Sequence, residues 1–263
     1  MNAKEYIKYL LSKENYSFST DEISQATNRK RTSLKFELAR LVEKKEIINL
    51  RKGFYLIIPP RYSGQMQLPI QLYVEKLFKS LSRNYYLGLY SAAKFHGASH
   101  QQIQREYIIT EKPKLKDIKK NIYDIRFFTT VNWPKKNIIY KKSDAGIFKL
   151  SSPALTAVDL INHQTKVGGL NRILAVLEEL AEEITQNDVA ELLTWFSNKS
   201  TLQRFGFLLE ELNVNPKISN QIKNYLQKTK FFPVLLYPKV GQKPGAVNNV
   251  WKVDVNIKLE SDL

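Results

Sequence analysis

The sequence predicts an α+β protein, with an N-terminal winged helix-turn-helix followed by a larger mixed α+β domain. Two observations carry the fold. Three short helical periodicities crowd into the first 45 residues and are closed by a strand, a tight turn and a second strand. Beyond them, short β-branched and aromatic runs give way to longer amphipathic helical patterns with no internal repeat. A third observation points to the partner: 41 Lys and Arg against 25 Asp and Glu leave a formal charge of +16, an excess that suits a polyanion through counterion release. With 43% hydrophobic residues the chain has ample material for packed cores, which sets aside disorder as the source of that charge density.

The first helix is expected over Ala3 to Ser12, where Tyr6, Ile7, Leu10 and Leu11 recur at helical spacing. Ser19 or Thr20 then caps a short second helix whose leading acids suit the positive end of the helix dipole, with Ile23 and Ala26 facing inward. Asn28 is expected to cap the third helix, in which Leu34, Leu38, Leu41 and Val42 form one apolar stripe. The following EIINLRKGFYLII reads as a two-stranded wing reversing at Arg51-Lys52-Gly53. In such a module the third helix enters the major groove.

At 100° per residue, the face opposite the leucine stripe carries Arg29, Thr32, Ser33, Phe36 and Arg40. Arginine can grip guanine bidentately, hydroxyls can bond base edges or phosphates, and an aromatic ring can touch a thymine methyl. Phe36 equally fits a cover for a neighbouring domain. Lys30 and Lys35 flank the face, Asn28 stands at its start, and Arg51 and Lys52 lie at the wing tip, where phosphate contacts are expected. The module, 1–60, is the expected DNA-binding domain; over residues 1–63 it holds 13 Lys and Arg against 7 Asp and Glu, a net +6.

Pro59-Pro60 and the following RYSGQMQLP are rich in breakers, so 61–68 is the expected linker and 69–263 the second domain. There IQLYVEKLFKSL and YYLGLYSAAKFHG read as helices, and QREYIIT, IYDIRFFTTV, NIIYKKS and GIFKLS as strands. From Ser152 a capping serine and proline open a long helical stretch broken at Gly168-Gly169; further helices follow through VAELLTWFS, TLQRFGFLLEEL and ISNQIKNYLQ. The tail, FFPVLLYP and NNVWKVDVNIKL, is strand-like around a GQKPG turn.

Catalytic motifs are missing. The chain has no cysteine, which removes thiolate metal sites and thiol catalysis, and it contains no GxxxxGK loop, GxSxG elbow or dinucleotide fingerprint. His96 and His100 stand four apart, but Gly97 lies between them and no HExxH pattern accompanies them, so no metal and no cofactor are expected. His163 near Asp159 reads as a helix-end histidine bonded to backbone. The pairs Glu178-Glu179, Glu182-Glu183 and Glu210-Glu211 read as solvated faces rather than catalytic dyads. No apolar run nears the ~18 residues of a membrane span, and a cytoplasmic, non-membrane protein is expected.

The segment ending RKGFYLI, together with GLYSAAKFHGASHQQ, SSPALTAVDLINHQTKVGGLNRI, LQRFGFLLEEL and WKVDVN in that order, resembles the AbiEi-type antitoxins of abortive-infection toxin–antitoxin systems. The resemblance implies a non-enzymatic transcriptional regulator that binds inverted repeats in double-stranded promoter DNA and represses its own operon. It further implies that the second domain counteracts a nucleotidyltransferase-like toxin, without requiring a stable complex. The apolar Pro153-Ala154-Leu155-Thr156 differs from the more charged version of many relatives. Two other classes remain open on the residues alone: an enzyme acting on nucleic acid with the winged module as anchor and a pocket near Asp159, His163 or His96, and a protein-interaction scaffold.

Overall fold

The computed structural model describes residues 1–64, 67–98, 105–238 and 243–260, and is of the mixed α+β class. Its N-terminal elements form because each helix start is closed locally. In α1 (Ala3–Ser12) Asn2 accepts from the Glu5 N–H while the Glu5 carboxylate accepts from the Asn2 N–H. Ser19 and Glu22 repeat this reciprocal cap at α2 (Thr20–Thr27). α3 spans Arg31–Glu43 and buries Leu34, Leu38 and Leu41 completely, as the stripe requires. These leucines join Ala3, Tyr6, Ile7, Leu10, Phe18, Ile23, Ile47 and Ile57 in one apolar cluster. Each buried leucine contributes about 1.5–3 kcal/mol relative to exposure.

Strands β1 (Ser17–Ser19), β2 (Ile47–Arg51) and β3 (Phe54–Ile57) make an antiparallel sheet in the order β1-β3-β2. The β2–β3 reversal turns on Gly53, whose φ of +77° is open to glycine at little cost. The three-residue β1 has too few positions to show alternation and is invisible in the sequence.

Two local expectations are corrected. Asn28 does not cap α3; it ends α2 in the left-handed region (φ +51°, ψ +39°), and the N-cap of α3 is Lys30, which makes no side-chain capping bond. Asparagine tolerates that backbone, so the same residue type that can start a helix stops one here. Ala26 is exposed, and Thr27 takes the inward place with its hydroxyl donating to the Ile23 carbonyl at 2.7 Å.

The chain divides into two compact units, one of Met1–Tyr86, Gln104–Thr130 and Tyr140–Lys149, the other of Leu87–Ile103, Val131–Ile139 and Leu150–Leu263. The expected linker segment 61–68 is anchored within the first of them, apart from Gln65 and Met66, which lie outside the described residues. Arg61 donates to Asp144 at 2.7 Å and to the Tyr16 hydroxyl at 3.2 Å, and Leu68 is buried with its N–H donating to the Tyr123 hydroxyl at 2.9 Å. Next come α4 (Val74–Ser80), β4 (Tyr85–Leu87) and α5 (Leu89–Phe95). The run YYLGLYSAAKFHG, expected as one helix, is therefore a strand and a short helix, because Gly88 and the left-handed Leu89 (φ +55°) break it.

β5 (Glu106–Thr110), β6 (Ile118–Lys120), β7 (Tyr123–Thr129), β8 (Ile138–Ser143) and β9 (Gly146–Ser151) join β4 in a mixed six-stranded sheet ordered β6-β7-β5-β4-β9-β8. β5 and β7 run parallel in register from Glu106↔Ile125 to Thr110↔Thr129. Both are rich in β-branched and aromatic side chains on buried positions, as a covered sheet demands.

In the second unit α5 is joined by α6 (Pro153–Asn162), α7 (Leu170–Glu183), α8 (Gln186–Leu193), α9 (Lys199–Glu211) and α10 (Pro216–Gln227). The strand-like tail reduces to two-residue strands, β10 (Val234–Leu235) and β11 (Val253–Asp254), paired in parallel. Residues 239–242, which include the first half of the GQKPG turn, lie outside the described residues.

Candidate nucleic-acid interface

On α3, Thr32, Ser33, Lys35, Phe36 and Arg40 are all exposed, opposite the buried leucines. Phe36 is 76% exposed, so the alternative role of covering another part of the chain is not realised. Ser33 donates its hydroxyl to the Lys30 carbonyl at 2.8 Å, which leaves the oxygen able to accept. Lys30 and Asn28 are exposed just before the helix.

Arg29 differs from its neighbours. Its guanidinium is paired at 2.5 Å with Glu37, whose other oxygen accepts the Ala3 N–H at 3.2 Å. Its backbone is clamped too, with the Ser24 hydroxyl donating to the Arg29 carbonyl at 2.7 Å. Arg29 thus holds the α2–α3 connection to α1, a role that helical projection could not foresee because Arg29 precedes the helix.

The hairpin brings Arg51 and Lys52 beside α3. A cleft of about 570 Å³ in the first unit is lined by Asp21, Arg31, Lys35, Arg51 and Lys52 among others. Arg31, not singled out from the sequence, is ion-paired with Asp21. Lys52 is exposed, but Arg51 is half-buried, and burial followed by the neighbouring Arg83 charge pushes its guanidinium below the usual arginine range. Next to the hairpin, Lys120 of β6 donates to Asn49 of β2 at 3.2 Å, and the short stretch before it also carries Lys112, Lys114, Lys116 and Lys119. The basic surface of the first unit therefore includes residues far beyond position 60.

In the second unit His96 donates its Nε2–H to the Ser151 carbonyl at 2.8 Å. His100 lies outside the described residues. Among the described residues no group of three or more His, Cys, Asp or Glu is placed to hold a metal ion, and no helix is long and apolar enough to cross a membrane. Two clefts, the one above and another of about 690 Å³ lined by Glu22, Glu75, Lys76 and Lys149 among others, contain none of Asp159, His163 or His96. Residues 86–211, from β4 to the end of α9, match the model of the AbiEi antitoxin C-terminal domain.

Over that segment the chain is similar to the AbiEi antitoxin family. No curated protein matches the chain. Among solved structures it is similar to the crystal structure of the Rv2827c protein from Mycobacterium tuberculosis, at a TM-score of 0.64 and 15% identity, covering 95% of this chain and 90% of that one. At that identity the likeness concerns the fold alone.

The AbiEi segment explains several of its own motifs. Gly168 (φ +109°) and Gly169 (φ +90°) carry the backbone through a conformation that side chains disfavour, and Gly169 then opens α7. Glu210 is not merely a solvated acid: its carboxylate accepts the Trp251 indole N–H at 2.6 Å, tying LQRFGFLLEEL to WKVDVN. Gln203 of the same helix donates to the Trp251 carbonyl at 2.7 Å, and Arg204 to the Leu235 carbonyl at 2.8 Å.

His163 ends α6 with its N–H donating to the Asp159 carbonyl at 3.0 Å, while burial, with the Lys166 charge adding to it, lowers its imidazole from 6.5 to about 4. The folded protein therefore keeps this histidine neutral where the unfolded chain would protonate it. Stability from this source is complete above about pH 6.5 and is expected to decline as pH falls from there toward 4, by at most about 1.4 kcal/mol per pH unit. Urea denaturation midpoints at pH 7.5, 6, 5 and 4.5 measure it. A His163→Gln variant should flatten the decline; an unchanged slope would assign the loss to other groups.

Proposed function

We propose that the chain is a DNA-binding autorepressor of a toxin–antitoxin operon. Residues 1–60 act as a winged helix-turn-helix that reads inverted repeats in the promoter, and the domain beyond 61–68 counteracts a nucleotidyltransferase-like toxin in the cytoplasm without enzymatic activity of its own. The AbiEi match supports the antitoxin half. The observation that supports the DNA half is the exposed face of α3, where Thr32, Ser33, Phe36 and Arg40 stand open on the helix whose Arg31 and Lys35 share a cleft with Arg51 and Lys52 of the hairpin.

Hydroxyls and an arginine on such a face can bond base edges, Phe36 can meet a thymine methyl, and Lys35, Arg51 and Lys52 can meet phosphates. Arg29 can read a base only by leaving Glu37, so Thr32, Ser33 and Arg40 are the first candidates for sequence readout. Asn28 and Lys30 flank the helix start, where backbone phosphates approach.

The test compares the full chain with Ser33→Ala, Arg40→Ala and Lys52→Ala on duplexes of its own promoter and of random sequence. The first two variants should lose promoter preference by about 1–3 kcal/mol where a base contact is removed. Lys52→Ala should weaken both duplexes alike and reduce the salt slope by about one. Equal loss on both duplexes for all three would place a different face in the groove, and no duplex binding at low salt would end the proposal.

A further inference from the structure

Arg51 and Arg83 are two cations brought together without an anion between them. Arg51 ends β2 at the hairpin tip. Arg83 follows α4 directly after the left-handed Ser82 (φ +50°), its N–H donating to the Phe78 carbonyl at 3.2 Å. Nη1 of Arg51 and Nη2 of Arg83 are both shut off from solvent, and neither has a hydrogen-bond partner. A guanidinium keeps its proton at neutral pH, so these are permanent donors, and buried donors in native proteins are almost always satisfied. The Arg83 charge reaches Arg51 and helps to lower its proton affinity. Glu111 feels Arg83, but its two oxygens accept from the side chain and backbone of Asn84 at 2.9 and 3.2 Å. Arg51 also borders the cleft that holds Arg31, Lys35 and Lys52; the one acid lining it, Asp21, is already paired with Arg31.

We infer that Arg51 and Arg83 together grip one phosphate group beside the cleft between α3 and the hairpin, so that the DNA contact extends past residues 1–60. Guanidinium forks match phosphate oxygens two at a time, and one phosphate accepts from both arginines at once. Because both donors are shut off from solvent, the two side chains must turn outward to meet it; a dianion or phosphodiester so held satisfies the two orphan donors and screens their mutual repulsion. The inference rests on the DNA-binding reading for its preferred source, the DNA backbone. A free nucleotide carries the same chemistry.

The experiment uses the full chain, Arg83→Gln, Arg51→Gln and the double variant. Binding to promoter and random duplexes is measured across a salt series, and thermal melting with and without inorganic phosphate or ATP. If the DNA backbone is the source, Arg83→Gln weakens both duplexes about 10-fold at low salt and lowers the log–log salt slope by about one. The double variant then loses little more than either single one, because both arginines serve one group. If DNA binding is unaffected but ATP or phosphate stabilises the native chain and not Arg83→Gln, the site stands with a free phosphate as its source. If the native chain binds no duplex, the DNA reading fails and the phosphate and ATP melts decide the site alone. Unliganded Arg83→Gln should melt at or above the native temperature, since a buried like charge has been removed. A lower melt, or no change in either binding arm, overturns the inference.

Discussion

Replacing Gly206 by alanine is expected to destabilise the second unit by about 1–3 kcal/mol or more, the cost typical of forcing extra carbon into a packed core. A Cβ at this position would stand 2.1 Å from Cζ3, 2.2 Å from Cη2 and 2.6 Å from Cε3 of Trp251, well inside van der Waals contact. The indole cannot step aside cheaply. Trp251 is 1% exposed, its N–H is held by Glu210 and its carbonyl by Gln203. Alanine's better helix propensity returns only about 1 kcal/mol.

Chemical denaturation of three variants decides the matter. Trp251→Ala alone should cost about 3–5 kcal/mol as a large-to-small change. Gly206→Ala added to it should then cost nothing further, because the clashing ring is gone, so the double-variant cycle reports a coupling of the size of the clash. A Gly206→Ala chain that unfolds with the native midpoint would mean that the ring has room to move. Under the proposed function, the same variant should also lose protection against a toxin, since Gly206 lies in the segment that matches the AbiEi antitoxin domain.

The second large effect concerns separable functions. A full chain carrying Thr32→Ala, Ser33→Ala, Arg40→Ala and Lys52→Ala is expected to lose promoter repression by a hundredfold or more in a reporter assay, taking about 1–3 kcal/mol for each base contact removed. Rescue from the toxin should persist, because these exposed side chains lie outside the apolar cluster and each such substitution changes stability by only about 0.5 kcal/mol.

Point variants suit this test better than a cut at 61–68. Removing the first sixty residues would uncover Lys76, which donates to the Ser17 carbonyl at 3.0 Å, and would strip Arg61 of its contact with Tyr16. Loss of rescue in the four-residue variant, with its fold intact, would show that DNA binding and antagonism share a surface.

The sequence by itself determined those features whose cause is local. The cap at Ser19, the leucine stripe of α3, the turn at Gly53 and the strands β5 and β7 each depend on residues a few positions apart, so periodicity and turn chemistry reveal them. The resemblance to the AbiEi antitoxins was legible for a related reason: its motifs are short segments in a set order, and the match over 86–211 covers two of them in full and a third but for its last residue.

The tertiary structure alone decided the rest. Asn28 could start or stop a helix on local grounds, and the backbone of the α2–α3 connection chose. Arg29 looked free until Glu37 and Ala3 were brought to it. Arg83 carried no signal at all, since what makes it notable is a buried guanidinium nitrogen with no hydrogen-bond partner and a charge felt by Arg51, a residue of another element. Gly206 reads as a flaw in a helix until Trp251 is seen lying across it. In each case the deciding energy is a contact, a charge or an excluded volume between residues distant along the chain, and neither propensity nor spacing records such pairs.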